Sequence, residues 1–280
     1  MNTENTPDTQ SKILQYPSKH ILFASDLHLE FSHPNRFTRQ LADYKYDALV
    51  ISGDVANAPK IIDYLEELHY LLEKPIFFVL GNHDFYMCRS IAQTIAEVEQ
   101  KFIDGPVVRL NEHKIIQLSE TTGLIGIDGI ADGRGGLGRK TSFRINDSVY
   151  IRDLCEAANE DRLFEKMEEL GDQSAQALRK VLIPALEQFN TVFVVTHVPP
   201  FPEACKYNGK PNPDDSLPFF CNQVFGEELL KIAHQYPSKR IIVLSGHTHD
   251  RAFHVIENIE VHVAGAEYRY PTIEKLFDVN

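Results

Sequence analysis

The chain has 280 residues, 43% of them hydrophobic and 24% charged, with a formal net charge of −12. That is long enough for one large α/β domain, and the composition is that of a globular protein. The acidic balance argues against a protein that grips long nucleic acid by its phosphates, because such binding needs a basic footprint. No apolar run approaches the roughly 20 residues that cross a bilayer, so no membrane role is expected. Residues 1–17 read as a flexible polar tail with no signal segment, and 18–280 as a single domain with inserted loops at 131–150 and 199–225. Four cysteines, Cys88, Cys155, Cys205 and Cys221, show no Cys-x-x-Cys spacing, which fits reduced thiols in a cytoplasmic protein. Cys205 and Cys221 flank one loop and can meet in space.

The first apolar run, His20 to Ser25, predicts a strand that ends in Asp26-Leu27-His28. In an extended chain, alternation places Asp26 and His28 on one side with Leu27 turned away, as two ligands for one metal. A helix over 36–44 leads to a strand over 47–52, which ends in Gly53-Asp54. Through 60–73, Ile61, Ile62, Leu65, Leu68 and Leu72 recur at helical spacing, with acids on the opposite face. This crossover helix delivers the chain to a buried strand, Pro75 to Leu80, and then to Gly81-Asn82-His83-Asp84. There a carboxamide oxygen can bind a metal, an imidazole can move a proton near neutral pH, and Asp84 can hold that imidazole in one tautomer. A helix over 90–102 completes a strand-helix-strand-helix pattern, which predicts a parallel sheet.

Three strand-like runs, 107–110, 114–118 and 123–127, leave little room for helices and predict a hairpin meander. The glycine-rich stretch 131–144 carries Arg134, Arg139, Lys140 and Arg144. It reads either as a solvated loop or as a lid that meets an anionic substrate. Residues 153–189 predict a long helical stretch broken near Gly171. A strand over 191–196 ends in His197, and the irregular segment 199–225 beside it is of the kind that sets specificity. A helix over 226–235 and a strand over 240–245 lead to Gly246-His247-Thr248-His249, with Asp250 and Arg251 as candidate supporting groups. Residues 259–265 read as the strand that closes the sheet. His20, His33, His69, His113, His234, His254 and His262 lack this placement and read as structural or exposed.

Five strands thus end in nitrogen or oxygen donors: Asp26 with His28, Asp54, Asn82 with His83, His197, and His247 with His249. In open α/β sheets the carboxyl ends of strands are where sites are built. With no thiolate among them, the donors suit divalent Mn, Fe or Zn. Asp26-Leu27-His28, Gly53-Asp54, Gly81-Asn82-His83-Asp84, Thr196-His197 and Gly246-His247-Thr248-His249, in this order, resemble the motifs of the calcineurin-like metallophosphoesterase superfamily.

The resemblance spans residues 20 to about 250 and implies a four-layer αββα sandwich with mixed sheets and two divalent metal ions. It implies that Asp26, His28, Asp54 and His249 hold one ion and Asp54, Asn82, His197 and His247 the other, Asp54 bridging. It further implies hydrolysis of a phosphomonoester or phosphodiester by a hydroxide between the ions, with His83 as general acid and Asp84 orienting it. Val55 to Pro59 and Asp84 depart from the Gly-Asp-x-x-Asp-Arg and Gly-Asn-His-Glu of the protein Ser/Thr phosphatase branch. Small phosphorylated substrates, nucleotides first, are therefore expected. A nuclease and a non-catalytic interaction module on the same fold are the rival readings, and the filled ligand positions speak against the latter.

Overall fold

The computed structural model describes residues 11–279. Most of the expected tail, residues 1–10, lies outside the described residues. Residues 12–15, also assigned to that tail, instead form strand β1 (Lys12–Gln15), paired in parallel with residues 114–117. From β2 (His20–Ala24) the chain alternates through α1 (Pro34–Leu41), β3 (Ala48–Ile51), α2 (Ile61–Leu72), β4 (Ile76–Phe78), α3 (Ile91–Lys101) and β5 (Val107–Arg109). Strands β6 (Lys114–Gln117) and β7 (Thr122–Gly126) precede two single-turn helices, α4 (Asp147–Tyr150) and α5 (Arg152–Cys155), and the long α6 (Glu160–Gln188). Then come β8 (Thr191–Val195), a tiny hairpin β9 (Lys206–Tyr207) and β10 (Lys210–Pro211), and α7 (Gln223–Gln235). The chain ends through β11 (Arg240–Ser245), β12 (Ala252–Ile256), β13 (Ile259–Val263) and β14 (Lys275–Asp278).

Two mixed sheets result, one of order β14-β2-β3-β4-β5 and one of order β1-β6-β7-β8-β11-β13-β12. The central strands are apolar on both faces because both faces are covered. Ile21, Phe23, Val50 and Phe77 of the first sheet meet Phe193, Val195, Ile242 and Leu244 of the second in an inter-sheet core. Their neighbours in sequence point outward. Leu22, Leu49, Ile51 and Phe78 pack on Phe37 of α1, Leu65 of α2 and Val98 of α3. Val192, Val194, Ile241 and Val243 pack on Leu182 and Leu186 of α6 and Leu229 of α7. The layers therefore run helix, sheet, sheet, helix, the four-layer αββα sandwich.

Three local expectations are corrected. The runs at 107–110, 114–118 and 123–127 do not form one meander: β5 pairs in parallel with β4 in the first sheet, while β6 and β7 pair antiparallel in the second. Strands this short carry too little periodicity to choose a partner, and the inter-sheet core decides. Helix α6 runs unbroken through Gly171, which is a packing position, since a Cβ there would lie 2.5 Å from the Asp132 Cβ. Strand β13 is not last; β12 hairpins onto its edge and β14 returns to the first sheet beside β2. Among the described residues no helix is long and apolar enough to cross a membrane.

Candidate metal centre

Strands β2, β3 and β4 run parallel in one sheet, and β8 and β11 run parallel in the other. Their carboxyl ends bring all nine singled-out residues to one end of the sandwich. The turns there are unusual. Asp26, His28, Asp54, His247 and His249 have φ of 52°, 43°, 53°, 68° and 59°, left-handed values that non-glycine residues seldom adopt. Each costs on the order of 1–3 kcal/mol and persists only where the surroundings over-determine it. Asp26 N–H donates to Gly53 O (3.1 Å), His28 N–H to Asp54 O (3.0 Å) and Gly246 N–H to His197 O (2.8 Å), so the loops brace one another. Asp26 and His28 therefore converge through a left-handed backbone and not through the extended alternation expected. Gly81 is required by close approach, because a Cβ there would fall on the Asp54 carboxylate and the His197 ring.

The donors form two groups that share Asp54. On one side, His249 Nε2 lies 3.3 Å from Asp26 Oδ1 and 3.2 Å from His28 Nε2. His28 Nε2 also lies 3.8 Å from Asp54 Oδ2. On the other, Asp54 Oδ1 lies 3.3 Å from His197 Nε2, and Asn82 Oδ1 lies 2.9 Å from both His197 Nε2 and His247 Nδ1. One carboxylate thus presents a different oxygen to each group.

The chemistry of this set fits cations. His197 Nδ1 faces Ser52 O at 2.8 Å and His247 Nε2 faces Phe219 O at 2.8 Å, so each ring donates outward to a carbonyl. Burial holds His247 down to about 4, so at neutral pH its single proton serves Phe219. Its Nδ1 lone pair then points at Asn82 Oδ1. The Asn82 Nδ2 group donates to Asp147 Oδ1 at 2.8 Å, which fixes the carboxamide with its oxygen toward the histidines. Two acceptors 2.9 Å apart repel unless a positive charge lies between or beside them. Burial would lower His197 too, but the Asp54 carboxylate overrides it and pushes that imidazole up to about 10. Burial would likewise raise Asp26 and Asp54, yet His249 and His197 hold both below the usual carboxylate range. The site gathers positive charge by whatever means it has.

Asp84 does not orient His83. Its carboxylate is fully buried and accepts four backbone N–H groups, from Gly81 (2.8 Å), Asp54 (2.8 Å), Val55 (2.9 Å) and Ala56 (3.0 Å). It clamps the loop after β3 to the loop after β4, a task an acceptor-only group performs without competition from donors of its own. The acid beside His83 is Glu30, whose Oε1 lies 4.0 Å from His83 Nδ1 and 3.8 Å from His28 Nδ1. The His83 ring stacks on Tyr86 with centroids 4.1 Å apart, and its backbone N–H donates to Asp54 Oδ1 at 2.8 Å.

Sequence reasoning missed three supporting groups. Glu30 sits two residues past His28, near enough to have been suspected. Asp147 accepts from both Asn82 and the Tyr86 hydroxyl (2.6 Å), but it comes from the 131–150 loop and nothing local marks it. Phe219, which holds His247 by its carbonyl, comes from the 199–225 loop. The arginines of the first loop do not face the centre: Arg134 pairs with Asp132 and Asp172, Arg139 with Glu168, and Arg144 with Glu160. They tie the loop to α6, so the lid reading is not supported. Asp250 accepts from Gly209 N–H, and Arg251 pairs with Glu274, so neither supports the ligands. His262 is buried between Phe253 and Phe277, away from the centre. Cys205 and Cys221 do meet, as free thiols in a small buried cluster with Leu217.

Solved structures share this architecture. A phosphopantetheinyl hydrolase from Mycobacterium tuberculosis superposes with a TM-score of 0.59 at 14% identity, covering 92% of this chain and 96% of that one. A dimetal phosphatase from Danio rerio gives 0.56 at 12% identity, over 89% and 88% of the two chains. An anchor of the inner membrane complex of Plasmodium gives 0.50 at 12% identity, over 89% and 72%. At such identities the likeness shows the fold alone, and the fold serves both hydrolases and an anchor. No curated protein matches the sequence significantly. The sequence model described as calcineurin-like phosphoesterase matches residues 19–251, and these carry every donor described above. The chain belongs to the calcineurin-like phosphoesterase family and is a metal-dependent phosphoester hydrolase.

Proposed function

We propose that the protein hydrolyses a small phosphomonoester or phosphodiester, with nucleotide-type substrates favoured, at a centre of two divalent ions. Asp26, His28, Asp54 and His249 would hold one ion, and Asp54, Asn82, His197 and His247 the other. The observation that carries this reading is the split of the Asp54 carboxylate, with Oδ1 toward His197 and Oδ2 toward His28. A shared carboxylate offsets the repulsion between two close cations. When bound, the pair supplies a nucleophilic water and neutralises charge on the phosphoryl group. Among Mn, Fe and Zn the donor set does not choose.

The chain's own residues do the rest. His83 lies beside His28, with ring centroids 4.5 Å apart, and its Nδ1 faces Glu30, which leaves Nε2 to give a proton to the departing oxygen. Glu30 and the stacked Tyr86 ring hold the imidazole in place. Asp147 holds Asn82 with its oxygen inward, the kind of outer support on which ligand geometry depends. Four free thiols, two of them adjacent and unbonded, favour a reducing compartment such as the cytoplasm. The net charge of −12 weighs against a nuclease of long nucleic acid.

The test is metal-stripped protein refilled with Mn, Zn, Fe or Ni and assayed on p-nitrophenyl phosphate and bis-p-nitrophenyl phosphate, with metal content measured in parallel. Two ions per chain and metal-dependent turnover are expected, and the diester-to-monoester ratio narrows the substrate. Asp54→Asn should lose metal and activity together; full activity in that variant would overturn the ligand assignment. Stoichiometric metal without turnover on any ester would favour the interaction-module reading.

A further inference from the structure

A cleft of 640 Å³ opens from His83, and its Tyr268 wall also packs on the His28 and His249 rings, with centroids 4.5 and 4.9 Å away. Phe31 and Tyr268 line one side, their rings edge to face at 5.7 Å. Tyr86, Met87 and Tyr150 line another, and His83 sits between, 4.1 Å from Tyr86 and 6.2 Å from Tyr268 by ring centroids. Large apolar side chains are exposed here to an extent that needs a reason: Phe31 is 52% accessible, Met87 67%, Tyr150 49% and Tyr268 45%. The polar lining is sparse, two carboxamides, Asn57 and Asn146, with Glu30 and Arg269. Met87 and Arg269, both in the lining, have φ of 62° and 71°. Strain of this kind is found at ligand clamps and is not needed to build the metal centre.

We infer that this cleft binds the leaving group of the scissile ester and that the leaving group is a nucleoside. The inference rests on the hydrolase reading above and deepens it. A general acid must touch the departing oxygen, so whatever departs lies on the His83 side, in this cleft. Aromatic faces with a few hydrogen-bonding amides fit a nucleobase: every base has a π-face to stack, and amides can reach its edge. A glycerol would leave those faces wet. A leaving group with further phosphates would meet one cation, Arg269, and the Glu30 carboxylate. In the reaction, water adds its oxygen to phosphorus and gives up a proton to solvent, the bond from phosphorus to the nucleoside oxygen breaks, that oxygen takes the His83 proton, and His83 regains one from solvent. The products are the free nucleoside hydroxyl and the phosphate or remaining ester.

The test compares metal-loaded enzyme on adenosine monophosphate and ribose 5-phosphate, which differ by the base alone, in the wild type and in Phe31→Leu and Tyr150→Leu. Adenosine and ribose binding are measured by calorimetry on the same proteins, with and without metal. A preference for the nucleotide of about tenfold or more is expected from one stacked base. That ratio should fall severalfold in each variant, chiefly through KM, and adenosine should bind where ribose does not. Equal turnover of the two esters, or adenosine binding that both variants leave unchanged, would overturn the inference while the hydrolase reading stands. Loss of turnover on every ester, including p-nitrophenyl phosphate, would count against the hydrolase reading itself, and the calorimetry would still decide whether the cleft takes a nucleoside.

Discussion

Replacing Glu30 by glutamine removes one charge from beside His83 and keeps the shape of the side chain. The carboxylate is only 11% accessible, with Oε1 4.0 Å from His83 Nδ1 and 3.8 Å from His28 Nδ1. Its Oε2 and the His28 Nδ1 atom have no hydrogen-bond partner among the described residues. Two unit charges 4 Å apart interact by about 4 kcal/mol at an effective dielectric of 20. Partial exposure and the competing His28 reduce what His83 receives to a fraction of that. Burial lowers the pKa of His83, with Asp54 and then Glu30 opposing it, so the variant should protonate His83 less readily still.

A phenyl ester needs its departing oxygen protonated, because phenol has a pKa near 10, whereas p-nitrophenolate leaves unaided. General acids contribute about 10²–10⁴ in rate. Glu30→Gln should therefore slow phenyl phosphate hydrolysis by up to about tenfold, a fraction of the whole general-acid contribution, and p-nitrophenyl phosphate far less. The assay is kcat on both esters at fixed metal occupancy, across pH 5 to 9. A parallel fall on the two esters, with weakened metal binding, would refute the reasoning and assign Glu30 to His28 instead.

Three further outcomes are expected. Asp84→Asn turns an acceptor of four backbone N–H groups into a group with donors of its own, leaving at least one buried N–H unsatisfied. It should lower unfolding stability by about 3 kcal/mol and metal affinity with it, read by denaturant titration; a loss under about 0.5 kcal/mol would contradict the clamp. Burial raises Asp147 from 3.8 to about 6. Its ionised form is therefore a burden of about 3 kcal/mol that is fully present above pH 6 and absent below pH 4. In metal-free protein Asp147→Asn should raise Tm at pH 8 and not at pH 4, while metal affinity drops about 10- to 100-fold. His197, pushed up to about 10 without metal, carries a proton at pH 7 that a cation must displace. Metal uptake should accordingly release protons at pH 7, seen as a calorimetric enthalpy that varies with the buffer's ionisation enthalpy.

How much of this was legible before folding depended on distance along the chain. Each donor follows directly on an apolar run, so Asp26, Asp54, Asn82, His197 and His247 announce both the strand and its use. The αββα order follows from the same runs. What the sequence hides are partners far apart: Asp147 meets Asn82 from 65 residues away and Phe219 meets His247 from 28. Asp84 misleads for the opposite reason. Adjacency to His83 suggests a pair, but a three-residue helical turn, His83–Phe85, sends the two side chains apart, one to the centre and one to the loops beneath it. Strand β1 is four residues long, largely exposed, and held by pairing to β6, so its polar surroundings read as a tail.

The strain and the charge at the centre have a common logic. Five non-glycine residues in left-handed turns and four convergent imidazoles oppose folding, and the two buried carboxylates would as well without the histidines that hold them ionised. Yet Asp84 and the crossed backbone bonds from Asp26 to Gly53 and from Gly246 to His197 hold the loops of the two sheets in place. A site built this way does not wait for a cation to shape it. It should bind a cation tightly, because the cost of bringing lone pairs together is already met by the fold. The same rigidity extends to His83, whose backbone N–H is bonded to the shared carboxylate of Asp54. If His83 is the general acid and Asp54 the shared ligand, as proposed above, acid and ions are positioned by one residue, and a shift in one would displace the other. On the same proposal, a leaving group in the cleft that His83 lines would be registered through that side chain to the acid and the ions.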